Sequence, residues 1–351
     1  MLDYNIYLNR YLFACRVNSP LVWFSDFPSV ELSLVLGTAI AERLPTVQAR
    51  PWRKSLASWE TYLRPFGAKI PALAKRDRKR TSRGKKNKQL PNVPHVKPPE
   101  VSWPIEAVLF FYPAKRNYGQ GELIFWELKL MGESADHGLF LEVILPALEE
   151  LGSVTDSRWQ YPKGLWGRFD IDSVYMARGP RWEPVVKDGH LDMGYGASPL
   201  QWSQGLDFEA YCGSQKVFDC LTWLTPFDLS RNHEDKPRNA GRAPTLREIS
   251  EAFTDRLALL AKGRHHSPDD FWNLLSEKDR SDLQEAVALA SHISILDKNL
   301  KSVATDWPGR WTGTQIFTGA IPDPLLPYLG LASIFHIGRH AHFGCGTFVF
   351  D

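Results

Sequence analysis

The residues best suited to chemistry are concentrated in one stretch, FHIGRHAHFGCGTFVF, from Phe335 to Phe350. Gly338, Gly344 and Gly346 can adopt positive φ and let main-chain amides approach another group closely. Successive amides in such a loop line a concavity suited to an anion, phosphate in particular. Arg339 adds a fixed positive charge and a planar donor fork. The loop 338–346 would join a helix ending near His336 to a final strand, so a tight helix-to-strand turn without a ligand is the competing reading. His336, His340 and His342 crowd the same loop, and the last two, being two apart, would share one side of an extended segment. His340 and His342 together with Cys345 suggest a metal, but no fourth ligand stands at the proper spacing. The four cysteines are scattered and match no zinc pattern or disulfide framework. No metal and no cofactor is expected.

The elements that position this loop must come from a chain of 351 residues, long enough for two domains. With 43% hydrophobic and 23% charged residues, a mostly disordered or low-complexity chain is excluded. The longest apolar run, Leu32 to Ala41, is far shorter than the ~20 residues a membrane helix needs. The region around Asp3 and Arg10 lacks a signal-peptide pattern. A soluble, cytoplasmic protein without a membrane partner is the expectation. The formal net charge is only +2, but it is unevenly spread. Lys75, Arg76, Arg78, Lys79, Arg80, Arg83, Lys85, Lys86 and Lys88 surround a single Asp77, a local charge of +8 that leaves −6 on the remainder. Proline-rich sequence from Pro91 to Pro99 follows. This basic excursion, within an insertion at about 68–100, is either a solvated linker or a contact for nucleic acid.

Hydrophobic patterning places strands at Tyr4–Val17, Ile105–Pro113, Glu122–Met131 and Gly167–Tyr175. Helices are expected after a cap at Ser29 and over Leu139–Leu151. In the second half, a strand over Lys216–Thr225 is ended by Pro226, and a helix runs from Thr245 to Lys262. Inserted helices occupy Ser267–Ser291. A strand and turn at Gly309–Ala320, a helix over Asp323–Phe335 and a last strand at Phe343–Phe350 complete the chain. The fold class is therefore α+β, with two tandem ferredoxin-like (βαββαβ) domains at 1–190 and 210–351. The first carries the basic loop insertion and the second a helical one. The open sheet face of such units commonly receives RNA.

The segment RWTGTQIFTGAIPDPLLPYLGLASIFHIGRHAHFGCGTFVF resembles the C-terminal signature of the CRISPR-associated precursor-RNA processing endoribonucleases, within the superfamily of repeat-associated mysterious proteins. Gly313, Gly319, Leu325, Leu326, His336, Gly338, Arg339, Phe343, Gly344 and Gly346 occupy the signature's places. YGQGELIFWELKLMGES with GLWGRFDIDSVY, and VFDCLTWLTPFDL with RLALLAKGR, resemble earlier parts of the same family in the right order. The resemblance implies CRISPR repeat RNA, or the processed crRNA, as partner, with other CRISPR effector subunits as further partners. It implies one metal-independent cut, in which the 2′-hydroxyl attacks the adjacent phosphate and leaves a cyclic phosphate and a 5′-hydroxyl.

That chemistry needs a base, an acid and positive charge on the developing phosphorane. Many family members hold the catalytic histidine near the first helix of the N-terminal domain. Here no histidine precedes His95, and the first helix and its surroundings offer Arg43, Arg50, Arg53 and Lys54. The candidate catalytic residues are therefore His336, His340 and His342. Candidate RNA contacts are Gly338, Arg339, Phe343, Gly344, Gly346, the cations from Lys75 to Lys88, and Arg50, Arg53 and Lys54. The alternative is a non-catalytic crRNA-binding subunit of an effector complex. His265 and His266 read as a solvated loop, Asp269, Asp270, Asp279 and Asp282 as a charged helix face. Trp202, Trp223, Trp307 and Trp311 read as core before RNA-stacking residues.

Overall fold

The fold is that of a computed structural model describing residues 6–24, 27–57, 103–112, 115–153, 164–206, 217–230, 243–261, 272, 275–304 and 307–351. The basic run Lys75–Lys88, His265, His266, Asp269 and Asp270 lie outside the described residues.

The first sheet is built on β1 (Leu8–Val17), whose alternate residues Tyr11, Phe13, Cys15 and Val17 are buried in one core. It pairs antiparallel with β5 (Leu123–Met131) on one side and β6 (Phe169–Arg178) on the other. β3 (Ala107–Phe111) closes the β5 edge, and the hairpin of β7 (Arg181–Lys187) and β8 (His190–Leu191) extends the β6 edge. A two-stranded ribbon joins β2 (Leu21–Trp23) to β4 (Asn117–Gly119).

Helix α1 (Pro28–Arg43) starts with proline in its first turn, where the missing N–H costs nothing. It is apolar nearly all round, because it lies between the sheet, α2 (Thr46–Leu56) and the C-terminal loop. Ser29 was expected to cap it. Phe27 holds the cap position instead, and the Ser29 hydroxyl donates to the Phe343 carbonyl at 2.7 Å. A second helical stretch begins at His137, where the Asp136 carboxylate accepts from the Gly138 amide. It widens over Phe140–Ile144 and continues as α3 (Leu145–Ser153).

The second sheet contains β9 (Cys220–Phe227), β10 (Ile295–Ser302), β11 (Trp311–Phe317) and β12 (Phe348–Phe350), ordered β10-β11-β9-β12. Helix α4 (Leu246–Leu260) has the expected Thr245 cap, completed by Glu248 in a reciprocal capping box. Helix α6 (Leu326–Phe335) precedes the glycine loop. Between α4 and β10 lies α5 (Glu277–Ala290). Its Asp279 is buried and accepts from the capping Ser276 hydroxyl, so it serves the helix start and not a solvent face.

Among the described residues, six helices of at least eight residues accompany these antiparallel sheets, and none is long and apolar enough to cross a membrane. The order β3-β5-β1-β6 in the first sheet matches β10-β11-β9-β12 in the second when each set is numbered along the chain. This mixed α/β architecture is compatible with ferredoxin-like units.

Several strands differ from expectation. β10 was not foreseen: its sequence ILDKNLKS is mostly exposed and lacks apolar alternation, as suits a charged edge strand. β9 runs through Pro226 to Phe227, because proline has no N–H to give but its carbonyl accepts from the Gly346 amide. The final strand is confined to Phe348–Phe350, since the residues before it turn tightly. Trp202 and Trp223 are core residues.

Candidate nucleic-acid interface

The glycine loop is held on both sides by protein. At the end of α6 the chain turns through His336 at φ 57°. The Ile337 amide donates to Gly346, and the Gly346 amide donates to Pro226 of β9. The Arg339 amide donates to the Asp228 carbonyl at 2.8 Å. Amides of Phe343, Gly344 and Thr347 likewise donate within the protein. Two glycines are demanded by close approach. A Cβ on Gly346 would stand 1.9 Å from the Ile337 carbonyl oxygen, and one on Gly344 would stand 2.7 Å from that of Leu109 in β3. Glycine therefore brings backbone against backbone here, and much of the expected concavity is filled by protein. Phe343, Gly344 and Gly346 are buried, whereas Gly338 and Arg339 are half-buried.

The loop also joins the two sheets. Phe343 packs with Val30 and Leu34 of α1. The His342 ring bonds the Ala107 carbonyl through Nδ1 at 2.8 Å and the Ser33 hydroxyl through Nε2 at 2.7 Å. A carbonyl can only accept, so Nδ1 carries the proton and Nε2 accepts from Ser33. Burial lowers the His342 pKa to about 3, against the opposing pull of the Ala107 carbonyl. His336 is arranged similarly. Its Nδ1 donates to the Cys345 carbonyl at 3.2 Å and its Nε2 accepts from Lys129 Nζ at 2.9 Å. Burial, followed by the Lys129 charge, holds its pKa well below the usual histidine value. Both rings are neutral and bonded at both nitrogens. His340 is buried at φ 63°, its ring lying along Phe343.

Lys129 is a site residue that sequence reasoning passed over. It is 4% exposed, and its ammonium also donates to the Ile334 carbonyl at 2.8 Å. Burial lowers its pKa to about 8 even though Glu127 opposes the shift. Glu127, on the same face two residues earlier, pairs with Arg10 at 2.6 Å and accepts from the Tyr112 hydroxyl at 3.3 Å. Burial alone would raise the Glu127 pKa, but Arg10 and Lys129 bring it below the ordinary value. A signal existed: two charges in the otherwise apolar LIFWELKLM of β5 need partners if that strand is central.

The accessible positive charge of this region lies on α2. Arg50, Arg53 and Lys54 are exposed, while Trp52 turns inward against Trp103 at 5.3 Å. Trp103 in turn meets the His342 ring edge-on at 5.1 Å. One aromatic chain thus connects the cationic helix to the glycine loop. No group of three or more metal-ligating side chains occurs among the described residues.

No protein-family model matches the chain, and no curated protein matches it. Its structural neighbours include Cas6 proteins. A chain of a partial Cas6-RT-Cas1–Cas2 complex is 12% identical with a TM-score of 0.48. That likeness covers all of this chain but 47% of the other, so this chain spans about half the neighbour's length. A Cas6 product complex is 13% identical, with a TM-score of 0.43 and coverage of 98% and 99%. Thermus thermophilus Cas6 is 12% identical, with a TM-score of 0.42 and coverage of 99% and 100%.

Proposed function

We propose that the chain binds CRISPR repeat RNA and processes the precursor by a metal-independent cut, through 2′-hydroxyl attack on the adjacent phosphate. The observation that carries this reading is the ordered signature from Gly313 to Gly346, which forms β11, α6 and a glycine loop bridging the two sheets. In this reading the sheets belong to two tandem ferredoxin-like domains, at 1–190 and 210–351. Arg339, Gly338 and the exposed Arg50, Arg53 and Lys54 contact the phosphate backbone. Gly344, Gly346 and Phe343 shape the loop, and the Lys75–Lys88 run adds long-range attraction. His336, His340 and His342 are the candidates for proton transfer. His336 must first release Lys129, and His342 must release Ser33, before either can accept a proton at Nε2.

That bonding favours a second reading: a non-catalytic crRNA-binding subunit in which the loop histidines only hold the site together. CRISPR repeat RNA, incubated with the protein in EDTA, separates the two. A single cut that one of His336→Ala, His340→Ala or His342→Ala slows by orders of magnitude supports loop-histidine catalysis. Tight binding with intact RNA supports the second reading. Unchanged cutting in all three variants removes the loop from the chemistry.

A further inference from the structure

Two segments take the last carbonyls of β9 in alternation. Pro226 and Asp228 accept from the Gly346 and Arg339 amides of the glycine loop, at 2.9 and 2.8 Å. Phe227, between them, accepts from the Arg310 amide at 2.9 Å, at the end of the turn that leads into β11. Arg310 and Arg339 therefore flank the end of one strand, their backbones two strand spacings, or ~10 Å, apart. The turn carrying Arg310 is fixed. Gly309 sits at φ 81°, where a Cβ would stand 2.7 Å from that of Pro226, and the Trp307 ring meets Phe27 at the start of α1 at 5.6 Å. The side chain is held as well. Arg310 Nε lies 2.9 Å from Asp228 Oδ2. Asp228 is buried, and its other oxygen accepts from the Ser230 amide at 3.1 Å and the Ser230 hydroxyl at 2.6 Å. This ion pair engages the inner nitrogen of the guanidinium, which is buried and not aligned for a hydrogen bond. The two terminal nitrogens are not buried and hydrogen-bond to no described residue, and the side chain is 31% exposed. An arginine that only neutralised a buried carboxylate would meet it through its paired donors. Here those donors are left outward.

We propose that Arg310, with Arg339 across the strand end, binds the phosphate backbone of the RNA, and that Asp228 is the residue that positions Arg310. A planar fork of N–H donors matches the oxygens of a phosphate. A side chain already held in place loses little freedom when it binds. Asp228 faces inward and is occupied by Ser230 and by Arg310 Nε, so it orients the guanidinium without covering its outer edge. The inference rests on the RNA-binding reading above and adds Arg310 and Asp228 to it.

Binding of CRISPR repeat RNA and of an oligouridylate to the full chain, each measured over a series of salt concentrations, tests it. Arg310→Gln should weaken binding about tenfold or more. It should also lower the log–log salt slope by about 0.7, the share of one phosphate contact on a single strand; a purely structural ion pair would leave that slope alone. Asp228→Asn should weaken binding too. The sign is diagnostic, because a carboxylate acting by charge alone repels RNA and its removal would tighten binding. Should either variant not fold, Arg310→Lys keeps a charge beside Asp228 and must still weaken binding, since an ammonium lacks the fork. An unchanged slope in Arg310→Gln, unchanged affinity in Arg310→Lys, or unchanged or tighter binding in Asp228→Asn overturns the proposal. A protein that ignores repeat RNA but binds oligouridylate with the Arg310-dependent slope refutes the repeat reading and leaves the arginine pair standing. Repeat RNA bound with a slope that Arg310→Gln does not alter has the reverse meaning, and a protein that binds neither RNA overturns both.

Discussion

Acidification from pH 7 to pH 5 should loosen the seam between the glycine loop and the first sheet, and His342 is where the effect can be isolated. Burial holds its pKa at about 3 in the folded protein, whereas the unfolded chain takes up the proton near the ordinary histidine value of about 6.5. A base whose folded pKa is depressed stabilises the fold fully above the unfolded value and progressively less below it. At pH 5 the unfolded state has gained about 1.5 pH units of protonation, which is roughly 2 kcal/mol of lost stability. The His342 ring keeps some surface, so this figure is an upper bound. His336, also held well below its usual pKa, adds a loss of the same sign in the same window. His342→Phe keeps an aromatic ring beside Trp103 and removes one titration. It also removes the bonds to Ala107 and Ser33, so it should be less stable at pH 7 by about 1–3 kcal/mol. Urea unfolding, followed by tryptophan fluorescence at pH 7, 6 and 5, should show the wild-type and variant stabilities converging as pH falls. Parallel curves would refute the reasoning, as would a His342 ring that titrates near pH 6.5 in the folded protein.

Gly346→Ala should be among the most damaging single changes, since its Cβ meets the Ile337 carbonyl oxygen at a positive φ; a loss of about 2 kcal/mol or more is expected, and an unchanged melting temperature would contradict the packing described. Arg50→Ala, Arg53→Ala and Lys54→Ala together should lower the salt dependence of RNA binding by up to about two units of log–log slope, at about 0.7 per phosphate contact. Folding should be unaffected, because all three are exposed. Deleting Lys75–Lys88 should flatten the same slope further, and an identical slope would leave that run without an RNA contact. Lys129→Met should destabilise the protein by about 1–3 kcal/mol, because it strips His336 Nε2 and the Ile334 carbonyl of a buried donor; a neutral result in urea would show the pair to be dispensable.

Much of the architecture is legible in local pattern, and the site much less so. The aromatic and aliphatic run of β1, the alternation in β6 and the Thr245 cap fix their elements, because one buried face or one cap decides the local structure. β10 escaped because an exposed edge strand has no buried face to write into its sequence. Ser29 looked like a cap, but its hydroxyl serves a carbonyl more than three hundred residues away, a contact that no window along the chain can hold. The loop glycines take the positive φ that their residue type permits. What they approach so closely is the backbone of Leu109 in β3, of Asp228 just past β9 and of Ile337 beyond the end of α6, and sequence spacing cannot distinguish a protein backbone from a phosphate. The histidines show the same limit. Their type suggests proton transfer, while their availability depends on Lys129, Ser33 and Ala107, brought from distant strands and helices.

Mass analysis of repeat RNA incubated with the protein in EDTA tests the central claim most directly. The account predicts two fragments from a single site, one ending in a cyclic phosphate and the other beginning with a 5′-hydroxyl. Bound but uncut RNA, or products carrying a 5′-phosphate, would contradict it.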